Sequence, residues 1–490
     1  MASYELECNL PGNIPNMENM VRAVDPEAVF TSGAADFRIA VTISGTKQEL
    51  TCQGRIDGRQ SAQVTFTDRE IGDPRYDLEA FTQRQKELVR KGVLILLQKI
   101  GRPAPPWGIL TGVRPSKLYH YLRDLGFSPA EVKDRLQAQF MLVPEKAAHL
   151  AAVGEVQRPL LQEVAGRIGI YIGIPFCPTR CHYCSFASYP LATHGHLVEG
   201  FLAALAYEIA EIGKTLTRLG HAPATIYIRG GTPTVLTPVQ LRDLLARIGC
   251  SFPRGELLEY TVEAGRPDTL DRTKLALLRD YGVTRVSVNP QTINPQTLAR
   301  IGRRHTVEQV EAAVALVRAL EFPCLNMDMI LGLPGEQEAD WDDTLEKLLA
   351  YRSENITLHT LAPKRSATWD FSQVKGEIAE ERVANWLAAG RARLSAAGYY
   401  PYYLYRQRRI VAGQENSGYT LPGYEGIYNI IMMEERATVL GLGGGGMSKW
   451  FDPVSLEVSR TPNPKCPATY RDRIKELVAE KVNKLMARVN

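Results

Sequence analysis

Six short apolar segments alternate with amphipathic segments in the middle of the chain, and this pattern limits the fold most strongly. Repeated β-α units imply a parallel sheet. Six units within about 200 residues favour an incomplete barrel over a complete eight-stranded one of roughly 250 residues, with the chemistry at the carboxyl ends of the strands. The predicted strands cover residues 169–176, 224–230, 258–264, 284–290, 324–331 and 355–361.

The 490 residues are too many for one ordinary core, so the chain is expected to form several domains. Residues 1–165 predict an N-terminal α+β module. Residues 166–370 hold the α/β repeat, which we interpret as a partial (β/α)6, TIM-like barrel. Residues 371–490 predict a C-terminal α+β region that closes the active site. Within the N-terminal module, alternating apolar residues predict short antiparallel strands at 4–10, 37–44, 49–56 and 62–67.

Composition excludes several classes of protein. A net charge of +4 is small for this length and argues against a nucleic-acid-binding protein. The sequence contains no run of the roughly 18 to 20 apolar residues that a membrane helix needs, and the N-terminus does not resemble a signal peptide. Eight cysteines in so long a chain do not make a disulfide scaffold. We therefore expect a reduced, cytoplasmic protein without a membrane span, and we expect it to be a monomer.

Three cysteines follow the first predicted strand within eight residues. Cys177, Cys181 and Cys184 have the spacing C-x3-C-x2-C. Three thiolates are one short of the four that a closed iron–sulfur cluster or a structural zinc site uses. His182 would give zinc a fourth ligand, but zinc sites usually combine two separated ligand pairs. The compact loop favours a [4Fe-4S] cluster with one iron open to another ligand.

This cysteine pattern after a strand, with Tyr183 before the last cysteine, resembles the radical S-adenosylmethionine (SAM) superfamily. The next predicted strand ends in Gly230-Gly231-Thr232-Pro233-Thr234, which is similar to the glycine-rich motif of that superfamily. Alone, GGTPT would be typical of a tight turn. The resemblance implies that its backbone approaches the methionine part of SAM, which glycine permits.

The resemblance narrows to oxygen-independent coproporphyrinogen III oxidases, also called coproporphyrinogen dehydrogenases, and most closely to HemZ-type members. It implies SAM on the cluster, held by Tyr171, Tyr183, Gly230, Gly231, Thr232 and Glu263. It also implies that Gln291, Arg303 and Asp328 contact a second SAM or the substrate, and that Ala362 and Met447 close the pocket. Tyr171, Glu263, Arg303 and Asp328 are the implied catalytic residues. The motifs are IPFC at 174–177, GGTPT, Val262-Glu263, Pro290-Gln291, residues 328–334, and Gly441-Leu-Gly443 with Ser448.

Two of these carboxylates are also unusual by themselves. Glu263 ends an apolar strand, where a buried carboxylate needs a cation or hydrogen-bond donor, although an exposed strand end is an equal alternative. Asp328 interrupts the apolar run 325–333, so a surface position explains it less well. The run Gly441–Gly446 formally matches GxGxxG, but Met447 stands where a phosphate-binding lysine would be. We interpret this run as close backbone packing at the barrel mouth.

The resemblance also implies a reaction. One-electron cleavage of SAM, driven by a low-potential electron donor, supplies a radical that removes a hydrogen atom from a propionate of coproporphyrinogen III. Loss of CO2 and one electron leaves a vinyl group, and two rounds give protoporphyrinogen IX. Arginines should hold the remaining carboxylates, at about 1.5–3 kcal/mol per charge-assisted hydrogen bond. The candidates are Arg303, Arg365, Arg406 and Arg114.

One position departs from the family pattern. Well-studied dehydrogenases of this family have a further cysteine two residues after the cluster motif, whereas this chain has Phe186. Haem-trafficking relatives share the aromatic residue. A haem-binding chaperone is therefore the alternative function, and a zinc-stabilised interaction protein is the third.

Overall fold

The computed structural model describes residues 1–46, 49–68, 78–364, 367–369, 375–378 and 380–487. The chain divides into two compact units. The first contains residues 1–155 and 405–414, and the second contains residues 156–404 and 415–490. Among the described residues, no helix has the length and apolar character needed to cross a membrane.

The first unit contains a five-stranded sheet in the order β2-β1-β3-β4-β5. The prediction that its strands are all antiparallel was wrong at one edge, because β1 lies parallel to both β2 and β3. Helix α1 (Ile14–Val24) follows β1 and brings the chain back to start β2 in the same direction. The five strands are Ser3–Cys8, Val29–Phe30, Phe37–Gly45, Leu50–Gly58 and Ala62–Asp68.

Helix α2 (Leu78–Lys99) packs against β3 and β4 and buries Leu88, Val93 and Leu96. Helix α4 begins with the capping box predicted from the sequence, in which Ser128 and Glu131 satisfy each other's backbone N–H groups. The last helix begins in this unit and continues to residue 163. The helices after α2 are α3 (Ser116–Asp124), α4 (Pro129–Ala138) and α5 (Pro144–Glu163).

The second unit is built on an eleven-stranded sheet. Six strands follow one another in chain order and are all parallel, as expected for the partial barrel. Their residues alternate between an apolar face, with Ile170 and Ile172 fully buried, and a face that carries Tyr171, Tyr227 and Glu263. The six strands are β6 (Ile168–Ile174), β9 (Pro223–Gly230), β10 (Glu259–Glu263), β11 (Arg285–Ser287), β12 (Cys324–Leu331) and β13 (Asn355–Thr360).

Helices separate these strands, as the βαβ connection requires. They bury the apolar stripes that their sequences show, such as Leu241, Leu244 and Leu245 on α8. The helices are α6 (Leu191–His194), α7 (Val198–Arg218), α8 (Pro238–Ser251), α9 (Arg272–Asp280), α10 (Pro295–Arg300), α11 (Val307–Ala319), α12 (Glu338–Ala350), α13 (Glu380–Ala396), α14 (Ile427–Glu434), α15 (Pro467–Asp472) and α16 (Ile474–Met486).

C-terminal strands extend the barrel sheet on both sides. On one side β15 pairs antiparallel with β13, and β14 lies beyond it. On the other side β16 pairs parallel with β6, followed by antiparallel β17 and β18. The result is a mixed α/β fold with a parallel core. These strands are β14 (Tyr400–Tyr405), β15 (Asn416–Thr420), β16 (Thr438–Gly443), β17 (Met447–Phe451) and β18 (Val458–Pro462).

Candidate active site

The cysteine loop leaves the carboxyl end of β6 and is closed by two short strands. These strands, β7 (Phe176–Cys177) and β8 (Tyr189–Pro190), pair in parallel, and the Tyr189 amide donates to the Pro175 carbonyl at 2.8 Å. Cys177 is 8% exposed, whereas Cys181 and Cys184 are half-buried. The loop thus presents three thiols at the end of the barrel where the family chemistry is expected.

The GGTPT turn passes directly beside this loop. The Gly231 amide donates to the Ile174 carbonyl at 2.7 Å, and the Thr232 amide donates to the Phe176 carbonyl at 2.8 Å. A Cβ atom on Gly231 would clash with the Phe176 carbonyl oxygen and lie 2.9 Å from Cys177 Sγ. Glycine is therefore required for this close approach of the two backbones.

Two arginines surround the Cys181 thiol. Arg266 Nη1 lies 3.8 Å from Cys181 Sγ, while its other nitrogens donate to both carboxylate oxygens of Asp268. The buried guanidinium of Arg303 lies within hydrogen-bonding range of Cys181 and Tyr183. Burial, with a smaller contribution from neighbouring cysteines, raises the pKa of the Cys177 and Cys184 thiols. Three such thiolates need compensating positive charge, so the donor set and its two arginines fit an anionic iron–sulfur cluster.

The zinc alternative gains no support from His182. Its Nδ1 lies 3.0 Å from the Arg300 carbonyl oxygen, and its ring packs 6.2 Å from the Trp369 ring. Among the described residues, no three Cys, His, Asp or Glu side chains form a group that could hold a single metal ion. His182 is thus engaged with the chain that follows α10 rather than with the thiols.

Glu263 lies at the end of β10 with its side chain 14% exposed. Its carboxylate accepts a 2.5 Å hydrogen bond from the Tyr227 hydroxyl and pairs with Arg229 Nε at 2.8 Å. Burial raises the pKa of Glu263, and the Arg229 charge offsets only part of that rise. The partner expected for this carboxylate therefore comes first from the chain itself.

Asp328 forms a second polar group on β12. Its carboxylate lies 3.5 Å from His359 Nε2 and accepts a 2.9 Å hydrogen bond from Asn326. Burial raises the pKa of Asp328, but hydrogen bonding and charge from His359 outweigh burial, so the pKa lies below its usual value.

Gln291 lies next to Asp328 and has an uncommon backbone conformation. Its φ is +71°, its amide donates to the Asp328 carbonyl at 3.0 Å, and its carbonyl accepts from the Ile330 amide. The side-chain oxygens of Gln291 and Asn289 are both buried without a hydrogen-bond partner within 3.5 Å. Buried polar atoms normally have a partner, so these two orphaned oxygens fit a site that receives a polar ligand.

The other residues implied by the resemblance lie around the same end of the sheet or within the barrel. Tyr171 lies midway along β6, where its ring stacks 6.4 Å from Tyr428 and burial raises its pKa to about 12. Ala362 follows β13 and is 9% exposed. Met447 begins β17 after the glycine-rich turn, in which Gly443 has a φ of +75° and packs on Gly173, as interpreted from the sequence.

The candidate substrate arginines have different fates. Arg303 is 7% exposed and its guanidinium donates to the Asn289 carbonyl. Arg406 belongs to the first unit, where it donates to the carbonyls of Leu110, Gly413 and Gln414, so it organises loops. Arg114 also belongs to the first unit, and Arg365 lies outside the described residues.

Three charged residues of this site were missed by sequence reasoning. Arg229 directly precedes the GGTPT turn, Arg266 follows Glu263 by three residues, and His359 is on the strand beside Asp328. The position of each beside a strand end was a usable signal. Their partners, however, lie on other strands or loops, so spacing along the chain did not reveal the pairs.

Comparison with known proteins agrees with this geometry. A family model described as the radical SAM superfamily matches residues 171–348. The chain is 37% identical over 458 residues to the oxygen-independent coproporphyrinogen-III oxidase-like protein HemZ of Bacillus subtilis, covering 92% of this chain and 90% of the relative. It is 31% identical over 237 residues to the heme chaperone HemW of Bacillus subtilis, covering 47% and 61%.

The solved structure of coproporphyrinogen III oxidase (HemN) from Escherichia coli, a radical SAM enzyme, has a similar fold. The two chains superimpose with a TM-score of 0.52 at 20% identity, covering 66% of this chain and 73% of the other. The cysteine loop, the adjoining turn and the near full-length similarity to HemZ lead to one conclusion. The chain belongs to the radical SAM superfamily, within the family of HemZ-type, oxygen-independent coproporphyrinogen-III oxidase-like proteins.

Proposed function

We propose that the protein oxidatively decarboxylates two propionates of coproporphyrinogen III to vinyl groups, giving protoporphyrinogen IX. The carrying observation is that Cys177, Thr232 and the Glu263–Arg229 pair all lie at the carboxyl ends of neighbouring parallel strands. The 37% identity to a protein named coproporphyrinogen-III oxidase-like supports the same choice of reaction. As part of this proposal the protein is a cytoplasmic monomer, because its thiols must stay reduced.

The residues divide the work of binding. Cys177, Cys181 and Cys184 would hold a [4Fe-4S] cluster, which with SAM supplies radical hydrogen abstraction when bound. Glu263 and the backbone of Gly230, Gly231 and Thr232 would hold the polar part of SAM, with Tyr171 and Tyr183 beside it. The orphaned oxygen of Gln291, together with Arg303 and Asp328, would serve a second SAM or the substrate. Ala362 and Met447 would close the pocket.

The substrate carries four carboxylates, and the site must hold those that do not react. Arg229 is the best placed cation, because its side chain is 36% exposed at the end of β9 and its guanidinium lies 4.3 Å from the exposed Phe186 ring. An aromatic residue and an arginine together suit a flat anionic ring. Each propionate that reacts loses one hydrogen atom, CO2 and one electron, and an external acceptor takes that electron.

A haem-binding chaperone is the second candidate. Phe186 occupies the position where the oxidases have a further cysteine, and a heme chaperone is among the relatives at 31% identity. In that case the Phe186–Arg229 pair would contact haem and no propionate would be lost.

An anaerobic assay separates these functions. The reconstituted protein receives SAM, dithionite and coproporphyrinogen III, and the products deoxyadenosine, CO2 and vinyl porphyrinogen are measured. We expect all three. Deoxyadenosine without CO2 would overturn the substrate but retain the radical chemistry, and tight haem binding without turnover would favour the chaperone.

A second experiment tests the cluster itself. The triple variant Cys177→Ala, Cys181→Ala, Cys184→Ala should contain almost no iron after anaerobic reconstitution. Cys250→Ala removes an exposed thiol on α8 and is the matched control. Iron retained by the triple variant at the control level would exclude these cysteines as cluster ligands.

A further inference from the structure

A cavity of about 820 Å³ lies directly beside the cysteine loop. One wall is formed by Thr179, Arg180 and His182, which flank Cys181 in the sequence. The opposite wall is formed by α10 and residues 302–308, which lead into α11. We call this cavity the basic groove. A molecule bound in it would be separated from the Cys181 backbone by the loop alone.

The basic groove has a strong excess of positive charge. Arg180, Arg303 and Arg304 line it, and Glu308 is the acidic residue among its described lining residues. Arg304 is exposed, whereas Arg303 is 7% exposed and its Nε atom is buried without a hydrogen-bond partner within 3.5 Å. The groove therefore presents charges both at its mouth and inside, which suits an anionic partner.

We propose that the basic groove docks an acidic one-electron carrier protein that reduces the iron–sulfur cluster. This inference rests on the cluster assigned under the proposed function but not on the identity of the substrate. In the transfer step the carrier loses one electron and the cluster gains it. No bond forms or breaks and no proton moves.

Three features favour a protein over a small anion. The groove is bordered by exposed residues on both sides, including Ala299 and Arg304, so its mouth lies on an open surface. Complexes that transfer electrons have small interfaces and rely on charge for fast encounter. The groove also reaches Cys181, the thiol near which Arg266 and Arg303 already concentrate positive charge.

The test uses the full-length protein with its cluster and a reduced, acidic plant-type ferredoxin as the probe. The double variant Arg180→Glu, Arg304→Glu should bind the ferredoxin about tenfold or more weakly at low salt, because steering by charge changes association rates by 10 to 1,000-fold. Isothermal titration measures the binding, and stopped-flow spectroscopy measures the rate of cluster reduction. Raising the salt concentration should reduce the difference between variant and wild type. Reduction by dithionite, a small reductant, should be unchanged.

Arg247→Glu is the matched control, because Arg247 is exposed on α8, outside the lining of the groove. If the double variant bound and accepted electrons from ferredoxin at the wild-type rate, the docking site would be wrong. Phosphate binding that depends on the two arginines, with ferredoxin unaffected, would also overturn the proposal in favour of a small-anion site. If the double variant loses its cluster, Arg304→Glu alone must show the loss of binding. Failure to turn over coproporphyrinogen, with ferredoxin reduction still dependent on the groove, would reject only the substrate.

Discussion

Arg229 Nε lies 2.8 Å from Glu263 Oε2, and this pair joins the ends of two neighbouring strands, β9 and β10. Tyr227 completes the group by donating to the other oxygen of Glu263. A carboxylate that is 14% exposed is costly without such partners. The pair therefore keeps Glu263 available, in its charged form, at the site where SAM is proposed to bind.

Removing Arg229 should weaken both folding and SAM binding. Arg229→Met leaves Glu263 with Tyr227 as its described partner, so the pKa of Glu263 should rise further. Because Arg229 is partly exposed, we expect a loss of about 1–3 kcal/mol in unfolding free energy, less than for a fully buried pair. Urea unfolding and SAM titration measure the two effects. Arg229→Lys keeps the charge, and if it were as damaging as the methionine variant, charge would not be the reason.

Gly231 should tolerate no side chain. Gly231→Ala places a methyl group against the Phe176 carbonyl and 2.9 Å from Cys177 Sγ, so the loop must shift. We expect iron content after reconstitution to fall several-fold. Gly255→Ala is the control, because nothing lies within 4 Å of the added atom there. Equal iron content in the two variants would contradict the close approach.

Lys481 and Glu208 form an ion pair in which both side chains are fully buried. Glu208 also accepts a 2.8 Å hydrogen bond from the Gly443 amide, so the pair anchors the glycine-rich turn. Lys481→Met strands a buried carboxylate and should lower the free energy of unfolding by about 3–5 kcal/mol. Chemical denaturation measures this change. Lys475→Met, at an exposed position of α16, should have little effect, and equal losses in both variants would exclude the pair as the cause.

Glu336 should make stability depend on pH. Burial raises the pKa of Glu336 to about 8, and the carboxyl accepts a 2.6 Å hydrogen bond from Thr292. Between pH 4.5 and about 8 the folded protein keeps this proton whereas the unfolded chain releases it, so stability falls as pH rises across that window. The full change is on the order of 3–5 kcal/mol. Glu336→Gln should flatten unfolding free energy against pH, and an unchanged slope would contradict the prediction.

Local patterns predicted the barrel well because they are local. Each apolar run of strand length became a strand of the sheet within two or three residues at either end, except that the fourth, predicted at 284–290, is only Arg285–Ser287. At the other extreme, the orientation of β1 was mispredicted because it depends on where α1 returns the chain, which strand alternation does not encode. The Phe186 position was visible in the sequence, but its contact with Arg229 was not.

The sequence by itself determined the parallel αβ repeat, the thiol loop and the glycine turn, since each depends on residues within one short segment. Tertiary structure decided which charges meet. Arg303 faces Cys181, Arg406 is used by loops of the first unit, and Glu263 is paired with Arg229 from the adjacent strand. The physical reason is that a buried charge takes the nearest partner in space, and strand pairing rather than sequence separation sets that distance.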